Sequence, residues 1–251
     1  MNNLSNIITI SNHKGGVGKT TSSINIGAGL NKLGEKVLLI DLDPQANLSQ
    51  SLGISEKENN IYSAMRGKNK AQPIEIIQGF ELIPSTLDLS AAEIELSSEA
   101  GREYILSEIL EPEKKNYDYI IVDSPPSLGL LTINAFVASD MILIPLQAEY
   151  LALQGLNKLV EIVEKIKRRL NKKLEIAGII ITRYDKRKVL NRDIVETVEV
   201  HFKNKIFKTK IRENISLAEA PIQKKDIFRY DEKCHGSEDY LLLCKELVKI
   251  K

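Results

Sequence analysis

The sequence contains no tryptophan, only two cysteines, and no uncharged apolar run approaching the ~18 residues needed to cross a bilayer. Each absence removes a class of protein. Cys234 and Cys244 are too few for a disulfide framework or for a thiolate-held cluster within one chain, and read as two reduced thiols. No Pro-rich or Ser/Gly-rich linker, low-complexity tract or internal repeat divides the 251 residues, which favours one large α/β domain over two small ones. The opening Met1-Asn2-Asn3-Leu4 has neither the basic end nor the apolar centre of a secretory signal. These features predict a soluble, cytoplasmic protein.

Charge is nearly balanced at +1, but unevenly placed. Residues 1–150 carry 11 Lys and Arg against 19 Asp and Glu, a net −8; residues 151–251 carry 24 against 15, a net +9. The basic half has two readings: an anionic partner such as nucleic acid, or lysine-rich helix faces that only meet water.

Short apolar runs alternate with segments of helical period along the whole chain. Strands are predicted over 7–11, 36–41, 80–84, 119–123, 141–145, 175–182 and 206–211. Several, such as "VLLI", "YIIV" and "MILI", are apolar on both faces, as a parallel sheet covered on both sides requires. Helices are predicted over 19–33, 91–96, 102–110, 130–138, 151–170, 187–201 and 237–249, the first stopped by Gly34. The alternation predicts a doubly wound α/β fold, mostly parallel, with ligands beyond the C-terminal strand ends.

At one such strand end stands "NHKGGVGKTT", residues 12–21. The usual phosphate-loop pattern is G-x-x-x-x-G-K-[ST], but its first glycine is replaced here by His13, and a second lysine, Lys14, precedes Gly15. Gly15, Gly16 and Gly18 let backbone N–H groups turn toward phosphate oxygens, with Val17 between them; Lys19 reaches β/γ-phosphates, and the Thr20 hydroxyl is a magnesium ligand. Thr21 completes the segment. "LLIDLDPQAN" places Asp41 and Asp43 two residues apart, a spacing that in extended chain points both carboxylates into one crevice. "YDYIIVDSPPSLG" is an apolar strand ending in Asp123, suited to hold Mg²⁺ through water. Asp118 is given no role.

"KGGVGKTT", "LLIDLDPQAN", "DYIIVDSPPSLG" and "ISLAEAP", in this order and spacing, resemble the ParA/Soj family of ATPases. That family belongs to the deviant-Walker-A class, which also holds MinD and the nitrogenase iron protein. The match runs from about residue 6 to the last helix. The resemblance implies that ATP and Mg²⁺ are bound and that ATP is sandwiched in a homodimer. Lys14 then crosses to the phosphates of the other subunit while Lys19 serves its own. Residues Gly15 to Thr21 bind phosphates, Thr20 and Asp123 serve the metal, Asp43 positions or polarises the attacking water, and Asp41 lies near the metal's water shell. His13 stands where many relatives have glutamine, with little consequence expected.

The resemblance also implies nonspecific binding of duplex DNA by the ATP dimer, a ParB-like centromere-binding partner that stimulates hydrolysis, and association with the nucleoid. Two basic runs are the candidate contacts. In "TRYDKRKVLNRD" these are Lys186, Arg187 and Lys188, and Arg187 falls on a basic position of relatives. In "NKIFKTKIREN", Lys208, Lys210 and Arg212 alternate with Phe207, Thr209 and Ile211, predicting a strand with one cationic face. Some relatives read Pro-Arg-Asn where this chain has Arg212-Glu213-Asn214, so no DNA-contacting arginine transfers to position 213. The run "EKIKRRLNKKLE" reads as a solvated helix end. There is no room before residue 6 for the helix-turn-helix domain of some plasmid-borne relatives.

Three other readings compete with this one. A MinD-like protein ends in a membrane-binding amphipathic helix, but "DYLLLCKELVKIK" lacks a flexible tether and matches the closing helix of ParA relatives, so membrane binding is not expected. An iron–sulfur carrier needs thiolates at the dimer face, which Cys234 and Cys244 do not supply. A non-enzymatic scaffold conflicts with the intact lysine, threonine and aspartate set. Within the class, the alternative to DNA segregation is positioning of another cargo at a membrane or on a protein complex.

Overall fold

A computed structural model describes residues 5–55, 58–149, 152–202 and 205–250. Residues 1–4, the predicted helix start at Leu151, and Asn204 at the head of the second basic run lie outside the described residues. Among the described residues seven strands form one sheet: β1 (Asn6–Ile10), β2 (Val37–Asp41), β3 (Ile74–Ile77), β4 (Phe80–Ile83), β5 (Tyr119–Asp123), β6 (Met141–Gln147) and β7 (Glu175–Thr182). Their order is β3-β4-β2-β5-β1-β6-β7, and every pairing except β3 with β4 is parallel. The helices are α1 (Lys19–Lys32), α2 (Asn47–Ser51), α3 (Ile61–Met65), α4 (Ala92–Glu95), α5 (Ile105–Leu110), α6 (Leu130–Ala138), α7 (Ala152–Arg169), α8 (Val189–Phe202), α9 (Ser216–Glu219), α10 (Ile227–Tyr230) and α11 (His235–Leu247).

The doubly apolar strands account for the layers. In β2, Leu38 and Ile40 face one core while Val37 and Leu39 face the other, and all are fully buried. One layer is closed by α1 and α11, through Ile26, Leu30, Tyr240 and Leu243. The other is closed by α3 and α5–α8, through residues such as Ile61, Leu106, Phe136, Leu159 and Val198. Cys244 is buried in the first layer, where its thiol is pushed well above the ordinary range by lost hydration. The C-terminal helix thus spends its apolar face on α1. No helix among the described residues is long and apolar enough to cross a membrane.

Two sheet-edge segments differ from expectation. The sequence reading missed β3, a four-residue strand whose burial merely alternates between half-buried and exposed. The turn Gln78-Gly79, with Gly79 at φ +74°, returns it antiparallel onto β4. At the other edge, residues 206–211 are not the predicted strand. Phe207 and Ile211 do donate their N–H groups to the carbonyls of Ile179 and Ile181, at 3.1 and 2.8 Å. Between them, however, the N–H groups of Lys208 and Thr209 are taken by the Glu246 carboxylate, at 3.0 and 2.9 Å, so the ladder breaks into isolated bridges.

Close approach of α1 to the sheet depends on Gly27. A Cβ there would lie 2.8 Å from Leu39 Cδ2 and 2.9 Å from Phe80 Cε2. Gly27→Ala gains about 1 kcal/mol of helix propensity, whereas overpacking of this kind costs about 1–3 kcal/mol. The expected net is a loss of up to about 2 kcal/mol, read as a lower urea midpoint at unchanged slope. A variant as stable as the parent would mean that helix and sheet separate freely at this point.

Candidate functional site

The chain leaves β1 at Ile10 and must re-enter as a helix at Lys19. Asn12, nearly fully buried, pins the start of this loop: its amide donates to the Pro145 carbonyl at 2.7 Å, and its oxygen accepts from Lys14 N–H at 3.1 Å. Thr182, at the end of β7, pins the far side by donating to the Val17 carbonyl at 2.8 Å. Gly16 and Gly18 take φ values of +75° and +88°, where a side chain would be strained. No side chain caps α1, so the N–H groups of its first turn have no side-chain partner and face the loop. An uncapped helix N-terminus behind an open glycine loop is a ready anion site.

This loop forms one wall of a cleft of about 780 Å³, a size suited to a nucleotide. Gly15, Gly16, Gly18, Lys19, Thr20, Thr21 and Asp43 line it; Arg183, Asn214, Pro221 and Tyr240 lie on further walls. Val17 does not line it, because its side chain is buried and only its backbone belongs to the loop. The Lys19 ammonium folds back onto the Lys14 carbonyl at 3.2 Å, and burial lowers its pKa against the opposing pull of Asp123 and Asp43.

Asp123 ends β5 wholly buried, with each carboxylate oxygen engaged: Oδ2 accepts from Thr20 at 2.8 Å and Oδ1 from Ser23 at 2.8 Å. Ser23 was not singled out in the sequence, although it stands one helical turn after Lys19 and Thr20. Burial pushes the Asp123 carboxyl up to about 7, with Asp41 adding to the rise. The shared-crevice expectation for Asp41 and Asp43 does not hold. Asp41 is sealed behind the cleft, accepting from Ser49 N–H and hydroxyl at 2.8 and 2.7 Å and from Asp43 N–H at 3.2 Å. Burial raises its carboxyl to about 6. β2 ends at Asp41, so the alternation that would align the two carboxylates stops there, and only Asp43 turns into the cleft. Its Oδ1 accepts from Gln45 N–H at 2.9 Å, which fixes its direction.

Lys14 lies outside this cleft. Its ammonium pairs with the Glu149 carboxylate beyond the end of β6, a partner that no local pattern in the chain singles out. The basic runs are also more engaged than expected. Arg187 is 85% exposed and clasps Asp185 at 2.9 Å, which holds that carboxyl down at about 2. Lys188 meets Glu213 at 3.2 Å, and Lys210 meets Glu199 at 3.9 Å while lying over the Tyr184 ring. The cationic strand face fails at Arg212: its guanidinium and N–H are held by Asp239 and Glu238, at 2.6–2.8 Å, which makes it a strut between the 206–211 edge and α11. Lys186 and Lys208 meet no carboxylate among the described residues.

Comparison with known proteins settles the family. A family model described as an AAA domain matches residues 5–176. The sporulation initiation inhibitor protein Soj of Bacillus subtilis is 46% identical, over 96% of this chain and 98% of its own length. The chain belongs to the ParA/Soj family of ATPases. The chromosome partitioning protein ParA of Caulobacter vibrioides is 41% identical over 96% of this chain and 93% of its own. Among solved structures, cobyrinic acid a,c-diamide synthase from Mycobacterium smegmatis with a bound ATP analogue and magnesium is 30% identical. It superposes with a TM-score of 0.86 over 98% of this chain and 95% of its own.

Asp123 generates a pH prediction for this ParA/Soj-type site. Its folded pKa of about 7 lies above the ordinary 3.8, so the folded state holds this proton to higher pH than the unfolded chain does. The corresponding stability is fully present below about pH 4 and is lost as pH rises through about 7. The nucleotide-free protein should therefore melt at lower temperature at pH 8 than at pH 6. Asp123→Asn, which removes the buried charge, should raise the pH 8 melting point and flatten this interval. A parent whose melting point climbs from pH 6 to 8 would contradict the assignment.

Proposed function

We propose that the chain is a partitioning ATPase that binds ATP and Mg²⁺ at the glycine loop, pairs through the bound nucleotide, and holds duplex DNA nonspecifically as that pair. The observation that carries this is the loop itself, an uncapped helix N-terminus with Lys19 and Thr20 inside the cleft and a second lysine, Lys14, outside it. The backbone of Gly15 to Thr21 would hold the phosphates, and Thr20 with Asp123 would hold the metal, whose charge supports phosphoryl transfer to water. Asp43, fixed by Gln45 and open to the cleft, is the residue placed to orient water, while buried Asp41 shapes the loop that carries it. Lys14, free of its own subunit's cleft, would complete the partner's site. A ParB-like centromere-bound protein as stimulator and the nucleoid as location complete the proposal.

Lys14 and Lys19 separate the two roles. Lys14→Ala should bind ATP as a monomer about as well as the parent, yet neither dimerise nor hydrolyse. Lys19→Ala should lose nucleotide binding itself. A cation supplied in trans is worth roughly 10³–10⁵ in rate in such reactions. Light scattering with ATP, beside a turnover assay, decides. Normal assembly by Lys14→Ala would refute the crossing.

For DNA, pairing two subunits places two basic faces on one duplex, and linked sites gain through effective concentration. Binding should require ATP, ignore sequence and weaken with salt, each neutralised phosphate adding about −0.9 to the slope of log K against log salt. Arg187→Ala should lessen that slope by about one unit per subunit. Lys186→Ala and Lys208→Ala should act alike, and both lysines lack a carboxylate partner among the described residues. A mobility-shift salt series with ATP and with ADP tests this; equal binding in both nucleotides would reduce the charge asymmetry to solvated surface.

A further inference from the structure

The run over 164–175, which joins α7 to β7, differs from the other basic runs in how little of its charge is balanced. It carries six Lys and Arg against two Glu. Among the described residues only its Lys167 meets a carboxylate, that of Glu175 at 3.1 Å. Lys165, Arg168, Arg169, Lys172 and Lys173 are all exposed and pair with none. At the other end of β7, by contrast, Arg187, Lys188, Lys210 and Arg212 each face an aspartate or glutamate. The C-terminus of α7 adds about half a negative charge, so it and the two carboxylates balance fewer than half of the six cations. The Glu175 carboxyl is held below its usual range by its hydrogen bond to Lys167, and Lys205 adds to this field.

The cations stand on a fixed backbone. Leu170 and Asn171 donate their N–H groups to the Ile166 carbonyl at 2.8 and 3.0 Å, which closes the helix. The Asn171 amide then reaches the carbonyls of Phe136 and Ser139 at 3.0 and 2.6 Å, at the end of α6, and its oxygen accepts from Lys173 N–H at 3.2 Å. A turn held in this way has little backbone freedom left to lose when a partner binds. Ile166 and Leu174 are buried, and no large apolar side chain of the run is exposed. It therefore lacks the apolar face with which a helix enters a lipid surface. What it presents is a set of ammonium groups and two guanidinium forks, which suits a ladder of phosphates.

We propose that this turn is a second contact for duplex DNA, at the opposite pole from the nucleotide, and that it lets ATP-bound pairs on one duplex gather another. The inference rests on the nucleotide-linked, DNA-holding pair of the proposed function and adds a face to it. Glu175 and Thr182, which lines the cleft, are the two ends of β7, about 23 Å apart at roughly 3.3 Å per residue. Pairing at the cleft leaves this pole facing away from the partner, once on each subunit. One turn neutralises at most about five phosphates, a slope of about −4.5 in log K against log salt, so a lone subunit holds duplex poorly. Pairs lined along one duplex present a row of such turns, and linked weak sites gain through effective concentration.

The test uses the full chain. Beads carrying one duplex are loaded with protein in ATP, washed, and offered a second, labelled duplex of unrelated sequence. The parent should capture the second duplex, steeply less so as salt rises, and with ADP should hold neither. Arg168→Gln, Arg169→Gln, Lys172→Gln and Lys173→Gln made together should leave ATP turnover and retention on the first duplex as in the parent, and cut capture of the second at least about tenfold. In the parent, acetylation of Lys172 and Lys173, read by mass spectrometry, should fall several-fold when the second duplex joins, and this readout needs no variant to fold. A parent that holds the first duplex and captures no second would overturn the proposal. So would undiminished capture by the fourfold variant, or unchanged acetylation in a sample that holds both duplexes. Capture of phosphatidylglycerol vesicles in place of the second duplex would also overturn it, and assign the turn to a lipid surface. A parent that binds no duplex with ATP is a separate outcome: it ends the DNA reading of the whole chain and this contact with it.

Discussion

The hydroxyls of Thr20 and Ser23 on the Asp123 carboxylate tie the first turn of α1 to the end of β5. Everything at the site hangs from that joint. β1 lies beside β5 in parallel register, so once α1 is anchored across the strand end, the eight residues between Ile10 and Lys19 have only a short gap to bridge. They can do so only by curling, with Gly16 and Gly18 at positive φ and the Asn12 and Thr182 side chains holding the curl from β6 and β7. The loop's inward N–H groups are thus a by-product of anchoring a helix across parallel strands. The cost falls on Asp123, whose carboxyl stays buried and is pushed up to about 7. Burial disfavours its charged form although both oxygens are bonded, so the atoms that anchor α1 also make the fold less stable at high pH.

Charge at the site is sorted by depth. The carboxylates of Asp41 and Asp123 lie beneath the loop, and the ammonium groups of Lys14, Lys19 and Lys158 lie on or around it. Lys19 feels Asp123 and Asp43 as well as its own desolvation, so the loop's inner cation is already partly balanced. Lys14 is too far out for that balance and relies on Glu149. The two lysines are therefore not interchangeable, although only four residues separate them in the chain. Burial assigns one to the cleft and leaves the other outside it, paired with a half-exposed carboxylate.

Much of this was legible in the sequence because it is local. The loop, the apolar strands ending in Asp41 and Asp123, and the glycine stop after α1 are each written in a few consecutive residues; Gly34 does take φ +96°. What escaped was set by groups distant in sequence. The 206–211 segment has the alternation of a strand, and it fails to become one because Glu246, on α11, takes two of its N–H groups. Asp41 and Asp43 have the spacing of a shared face, and they part because Ser49 draws Asp41 inward just where the strand ends. β3 was missed for a different reason: a short, half-exposed edge strand has too little apolar contrast to register, though Gln78-Gly79 marks its turn.

The basic half of the chain repeats this pattern on the surface. Net charge suggested a broad cationic face, yet the carboxylates nearest in space to Arg187, Lys188, Lys210 and Arg212 are Asp185, Glu213, Glu199 and Asp239. A cation already paired gains less from a phosphate than a free one, because its own carboxylate must be displaced or tolerated. Arg187 remains available, since its guanidinium is 85% exposed and a phosphate can approach the side that Asp185 leaves open. Arg212 does not, since Asp239 is 5% exposed and breaking that pair would strand a buried charge. The same Asn191 that orders the turn bearing Glu149 also holds the backbone of Asp185 beside Arg187. The backbone beside Arg187 and the backbone beside Glu149 are thus tied together through one buried amide.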